Sequence, residues 1–209
     1  MEINALLDLG GPIIYILLLL SIFALAVILY KLHQFYHANF FEHAVINKSI
    51  QLWIEDEKTH AYDSIQNIMH PVAEVISFTM YQLLKHKKIT EKEESNIREE
   101  ITRLCEERIE FYNQKLDSLQ VIATIAPLLG LLGTVFGMIE AFQQMEIAGK
   151  NVDPSMLSGG IWEALLTTAA GLSVAIPIVI CESWFRTLTN KLKNNIENSV
   201  TQIFTSHIN

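Results

Sequence analysis

Three polar side chains stand out because of where they lie. Glu163 sits at the start of an apolar run, GGIWEALLTTAAGLSVAIPIVI over residues 159–180. A carboxyl at membrane depth costs at least ~2.5–3.5 kcal/mol, and such residues usually face a cavity or a partner. Glu163 lies about six residues, or roughly 9 Å, inward of Leu157 at the rise of an α-helix. A solvated place at the external interface is the plainer alternative. Thr134 lies in a second apolar run, APLLGLLGTVFGMIEAF over residues 126–142. Thr168 follows Glu163 by five residues. On antiparallel helices the two hydroxyls fall at about the same depth, roughly 12 and 16 Å from the outer ends of their runs. A hydroxyl in a dry, narrow space can exchange hydrogen-bond partners with a protonating group. The competing reading is that each threonine bonds back to the carbonyl one turn earlier.

The two runs also carry small residues on a stripe. Gly130, Gly133 and Gly137 recur at intervals of three and four, with Thr134 on the same face. Ala164, Thr168, Gly171 and Ala175 repeat the pattern. Small stripes let two membrane helices approach closely. The glycines Gly130, Gly133, Gly137 and Gly171 are therefore expected to serve packing, and Thr134, Thr168 and Glu163 an ion pathway.

Both runs are long enough to cross a membrane, and a third precedes them. Leu9–Tyr30 and Ser118–Ile139 each hold 22 residues without a charge, and Ala164–Cys181 holds 18. About 20 apolar residues span the hydrocarbon core. Three spans are expected, at 12–30, 116–142 and 161–182. The first reads as a retained anchor, since Glu2 and Asp8 precede it where a signal peptide would carry Lys or Arg. Basic residues set orientation. Of fifteen, eleven lie from Lys31 to Lys115, one is Lys150, and three follow the third span. The N-terminus (1–11) and the 143–160 loop are thus placed outside, with 31–115 and the tail 183–209 in the cytoplasm. Tyr30, Lys31 and His33 mark the inner interface.

The cytoplasmic part shows helical spacing and no strand alternation. Phe35, Phe40, Ile46, Ile50 and Trp53 recur at helical intervals. Glu55–Thr59 is a charged break, and Pro71 opens a helix with Val72, Val75, Ile76, Thr79, Leu83 and Leu84 on one side. Thr90 and Glu93 form a capping box. No Pro or Gly then appears before Pro127, so one long helix is expected to run into the second span. In the tail, Trp184, Leu188, Leu192, Ile196 and Val200 step by four as an amphipathic continuation of the third span. The expected fold is an all-α integral membrane protein, with spans two and three extended into a helical cytoplasmic domain.

The net charge of −8 and the absence of a basic stripe argue against nucleic-acid binding. Cys105 and Cys181 fall in different compartments and make no disulfide framework. His33 and His37 have metal-ligand spacing but no third ligand nearby. No nucleophile motif, phosphate loop or dinucleotide fingerprint is present, so no enzyme, metal or cofactor is expected.

The paired motifs APLLGLLGTVFGMIEAF and GGIWEALLTTAAGLSVAIPIVI resemble the MotA/TolQ/ExbB proton-channel family. The likeness covers about a quarter of the chain. Three spans fit the ExbB-like branch first and the TolQ-like branch next, since the flagellar members have four. The resemblance implies a homopentamer in the bacterial inner membrane, with spans two and three lining a central pore. It implies an ExbD-like single-span partner in that pore and H+ as the coupling ion. Work would pass to a TonB-like transducer for uptake of iron-siderophores or vitamins, or, in the TolQ-like branch, to envelope constriction. By motif, the family's pore threonine falls on Thr134, its membrane glutamate on Glu163 and its second threonine on Thr168. Phe136 stands where the family often carries Trp. A passive scaffold and a self-sufficient channel are the remaining alternatives.

Overall fold

The computed structural model describes residues 11–37, 44–85, 90–148 and 154–208. The expectations for the N-terminal segment, Phe40 and Lys150 lie outside these residues. The described residues form α1 (Gly11–His37), α2 (Ala44–Ile54), α3 (Lys58–Ile65), α4 (Pro71–Lys85), α5 (Glu91–Asn113), α6 (Leu116–Ala148) and α7 (Pro154–Ile208). Three helical stretches are long and apolar enough to cross a membrane, and they contain the three expected spans. The chain divides into two compact units.

The first unit holds the described residues up to Leu29 together with Lys115–Trp184. Gly11 starts α1 at φ +59, a left-handed conformation that suits glycine, and Pro12 follows in the first turn. Inside the unit, Ile13 and Leu17 of α1 meet Ala126 of α6 and Ala175 of α7. The outward faces are apolar and exposed: Leu19, Ile22 and Phe23 on α1, Leu128, Leu131 and Val135 on α6, Leu165, Ile176 and Ile180 on α7. Contiguous apolar surface of this kind marks a membrane or a protein interface.

The second unit holds Tyr30–Gln114 and the chain from Phe185 onward. Its core takes Ile46, Ile50 and Trp53 from α2, Val72, Val75, Ile76, Met80 and Leu83 from α4, and Ile97 and Ile101 from α5. The Trp53 indole donates to the Ile203 carbonyl at 3.3 Å, fixing the end of α7. Glu74 and Arg108 pair between α4 and α5. Thr90 caps α5 as a capping box with Glu93. On α4, Leu84 is only half-buried.

Four expectations change. The long helix into the second span is interrupted: α5 ends at Asn113, Lys115 takes φ +67, and α6 begins at Leu116. Neither Gly nor Pro causes this break, and Tyr112, Leu116 and Leu119 keep the one-face spacing of a continuous helix and are all buried. The loop expected at 143–160 is mostly helix, since α6 runs to Ala148 and α7 begins at Pro154. Lys31 does not extend outward as a headgroup anchor would. It is fully buried, and its ammonium donates to Gln34 Oε1 at 2.8 Å and to the Tyr112 carbonyl at 2.9 Å. That carbonyl lies in the last turn of α5, where a helix favours a cation. In the tail stripe, Trp184 is 47% exposed and its neighbour Phe185 is fully buried, stacked on Phe35 with centroids 5.5 Å apart. Leu188, Leu192 and Ile196 are buried as the four-residue step requires, and Val200 is half-buried.

Candidate functional site

The site lies within the first unit, where α6 and α7 run against each other along their small residues. A Cβ added to Gly160 would lie 2.6 Å from the Ala141 Cβ, and one added to Gly137 would lie 3.1 Å from the Ala164 Cβ. A Cβ on Gly133 would collide with the Thr167 side chain. One on Gly130 would come 2.8 Å from the Thr167 carbonyl oxygen, and one on Gly171 2.5 Å from that of Ala126. Backbone meets backbone at the last two positions, so no side chain there can yield. Sequence spacings of three and four on both helices keep this contact on one stripe for over four turns.

Thr168 is part-buried and reaches across this contact. Its hydroxyl donates to the Gly130 carbonyl at 3.1 Å rather than back to its own helix. Thr167 is the residue that spacing alone undervalues. It is 3% exposed, fills the notch at Gly133, and its hydroxyl lies 2.7 Å from the Ala164 carbonyl and 3.1 Å from that of Gly130. The stripe read from Ala164, Thr168, Gly171 and Ala175 therefore passes through Thr167, with Thr168 at its edge. No signal in the sequence separates the two neighbouring threonines, since both are β-branched and only the packed helix selects the one that fills the notch.

Thr134 is half-buried, and its hydroxyl donates to the Leu131 carbonyl at 2.6 Å, one turn back. Gly130 and Gly133 are buried under α7, whereas Thr134 lies at the margin of that contact. The two threonines matched by depth meet different carbonyls, those of Leu131 and Gly130. Glu163 is half-buried on α7, one residue before the Ala164 that closes on Gly137. Thr134, Thr168 and Glu163 are thus polar groups left partly open on two helices whose exposed surface is largely aliphatic and aromatic, with Thr124, Glu140 and Ser173 among its polar exceptions.

No group of three or more His, Cys, Asp or Glu side chains suited to a metal occurs among the described residues. Cys105 and Cys181 are free thiols.

The sequence pattern of the MotA/TolQ/ExbB proton channel family matches residues 69–198, more than half of the chain and all of this site. The chain is 27% identical over 195 residues to a biopolymer transport protein ExbB homolog of Methanothermobacter thermautotrophicus, covering 90% of this chain and 63% of the relative. It is 46% identical over 76 residues to biopolymer transport protein exbB1 of Vibrio cholerae, covering 36% of this chain and 33% of that one. Against the Tol-Pal system protein TolQ of Haemophilus influenzae it is 33% identical over 97 residues, covering 46% and 42%. The chain therefore spans less than two thirds of the length of each of these relatives. With three membrane-crossing helices, two of them joined by the threonine and glycine contact, and a family match that includes both, this chain belongs to the MotA/TolQ/ExbB proton channel family.

Proposed function

We propose that the chain is an ExbB-like subunit of a proton-driven motor in the bacterial inner membrane, and not an enzyme. One observation carries this reading. Thr134, Thr168 and Glu163 stay partly open on the paired helices, both of which are long and apolar enough to cross a membrane. Lipid does not suit a carboxyl there, so the groups need a partner or a water-lined path. A homopentamer with α6 and α7 turned to a central pore supplies one. Gly130, Gly133, Gly137 and Gly171 keep the two helices close enough to form a continuous wall.

In this arrangement the N-terminus and the short 149–153 connection face the periplasm, and the second unit faces the cytoplasm. Fourteen of the fifteen basic residues then lie inside. An ExbD-like single-span partner occupies the pore and presents a carboxyl to the threonine hydroxyls. A proton crossing 100 mV releases about 2.3 kcal/mol. Each protonation changes the carboxyl from acceptor to donor, so its hydrogen bonds to the wall must rearrange. The resulting motion passes to a TonB-like transducer that energises uptake of iron-siderophores or vitamins across the outer membrane.

The test is growth on a ferric siderophore as the sole iron source. Thr134→Val and Glu163→Ala should abolish growth while protein levels stay normal. A passive scaffold tolerates both changes, and full growth would overturn the ExbB-like reading. The TolQ-like alternative has its own support in the likeness to TolQ of Haemophilus influenzae. Under it, the same variants leave iron uptake intact and impair envelope constriction.

A further inference from the structure

One backbone carbonyl in the α6–α7 contact serves two side-chain hydroxyls. The Gly130 oxygen lies 3.1 Å from Thr167 Oγ1 and 3.1 Å from Thr168 Oγ1. It is also the acceptor that an α-helix assigns to the N–H of Thr134, four residues on. A carbonyl has two lone pairs, so three donors overfill it. Thr167 has a second choice, the Ala164 carbonyl at 2.7 Å. A hydroxyl carries one proton and gives it to one acceptor at a time or shares it weakly between two.

We propose that Thr167 is a positioning residue for the Thr168 hydroxyl. When the Thr167 proton turns to Ala164, Gly130 holds Thr168. When it turns to Gly130, Thr168 is released and the carbonyl stays satisfied. The Thr134 N–H keeps one lone pair of Gly130 occupied throughout, so the two hydroxyls compete for the other, and Thr167 refills it as Thr168 leaves. Thr167 thus lowers the cost of moving the Thr168 hydroxyl toward a carboxyl on the far side. Its burial against Gly133 keeps it from leaving the contact itself. The inference deepens the reading of α6 and α7 as the wall of a proton path and rests on it.

The test uses the intact complex, purified with the partner that accompanies it from the native membrane and reconstituted in liposomes under an imposed proton gradient. Thr167→Ser keeps the hydroxyl and should retain flux within about twofold. Thr167→Val keeps the volume and loses the hydroxyl. Flux should fall roughly three- to tenfold, the range one neutral hydrogen bond is worth. In a Thr168→Val background the same change should cost nothing further, because the group it positions is gone. Thr167→Ala, which leaves room in the Gly133 notch, should behave as Thr167→Val and separates lost positioning from misfolding. Wild-type flux in Thr167→Val, or an equal loss in both backgrounds, overturns the positioning role. Full flux in Thr168→Val overturns the proton-path reading, and the inference with it.

Discussion

At the scale of single residues, Lys31 shows how burial changes a side chain's role. Its sequence position at the end of an apolar run suggested a cation reaching into the headgroups. The surrounding helices instead enclose it, and its ammonium satisfies the Tyr112 carbonyl at the end of α5. Lys31→Met removes a charge-assisted bond and leaves that carbonyl without this donor, at a cost of about 1.5–3 kcal/mol. A thermal melt of the detergent-solubilised protein should show the loss, and an unchanged melt would mean the bond is idle. Cys105 makes a second residue-level case. Burial, reinforced by Glu197, raises its thiol above the ordinary range, while Lys193 opposes this. The thiolate is therefore scarce at neutral pH and alkylation should be slow. Burial likewise raises the Tyr112 phenol. Groups whose folded pKa is raised favour the fold while protonated, so their contribution is complete at neutral pH and is lost as pH climbs through the alkaline range. Denaturant midpoints should fall above the ordinary thiol range, and fall less in Cys105→Ala.

At the scale of elements, the α6–α7 contact divides the glycines by what surrounds them. Gly171 and Gly130 face backbone that cannot retreat, whereas a Cβ on Gly159 meets nothing within 4 Å. Gly171→Ala should destabilise the assembled protein by about 1–3 kcal/mol through overpacking. Gly159→Ala should be neutral, or stabilising by up to about 1 kcal/mol through helix propensity. Equal melts for the two variants would contradict the close approach. A further element-level test is Thr90→Ala, which removes the cap of α5 and should cost about 0.5–2 kcal/mol. The glycine and small-residue stripes were legible because spacings of three and four map directly onto a helix face. The capping box was legible because its two side chains have fixed positions. The interruption at Gln114 and Lys115 was not, since neither Pro nor Gly marks it. Lys115 takes a left-handed φ that residues other than glycine seldom adopt, so local propensity does not announce it. Thr167 escaped for a related reason: neighbouring threonines differ by one helical step, and only the packed partner shows which of them enters the glycine notch.

At the scale of the whole molecule, three apolar helices and the extent of the family match place the chain in the membrane and in its family. Charge-free runs made the spans readable, because hydrocarbon tolerates few alternatives. The proposed pore wall was only half readable. Glu163 announced itself as a charge in an apolar run, while the partners of Thr134 and Thr168 depend on how two helices interlock. The central claim is that this wall carries protons in an oligomer. It is tested most directly by proton flux through liposomes holding the complex purified with its native partner, comparing wild type with Thr134→Val at equal protein content. A proton path along α6 predicts flux that is driven by the imposed gradient in the wild type and reduced at least tenfold in the variant. Equal flux in an intact Thr134→Val complex would contradict the account.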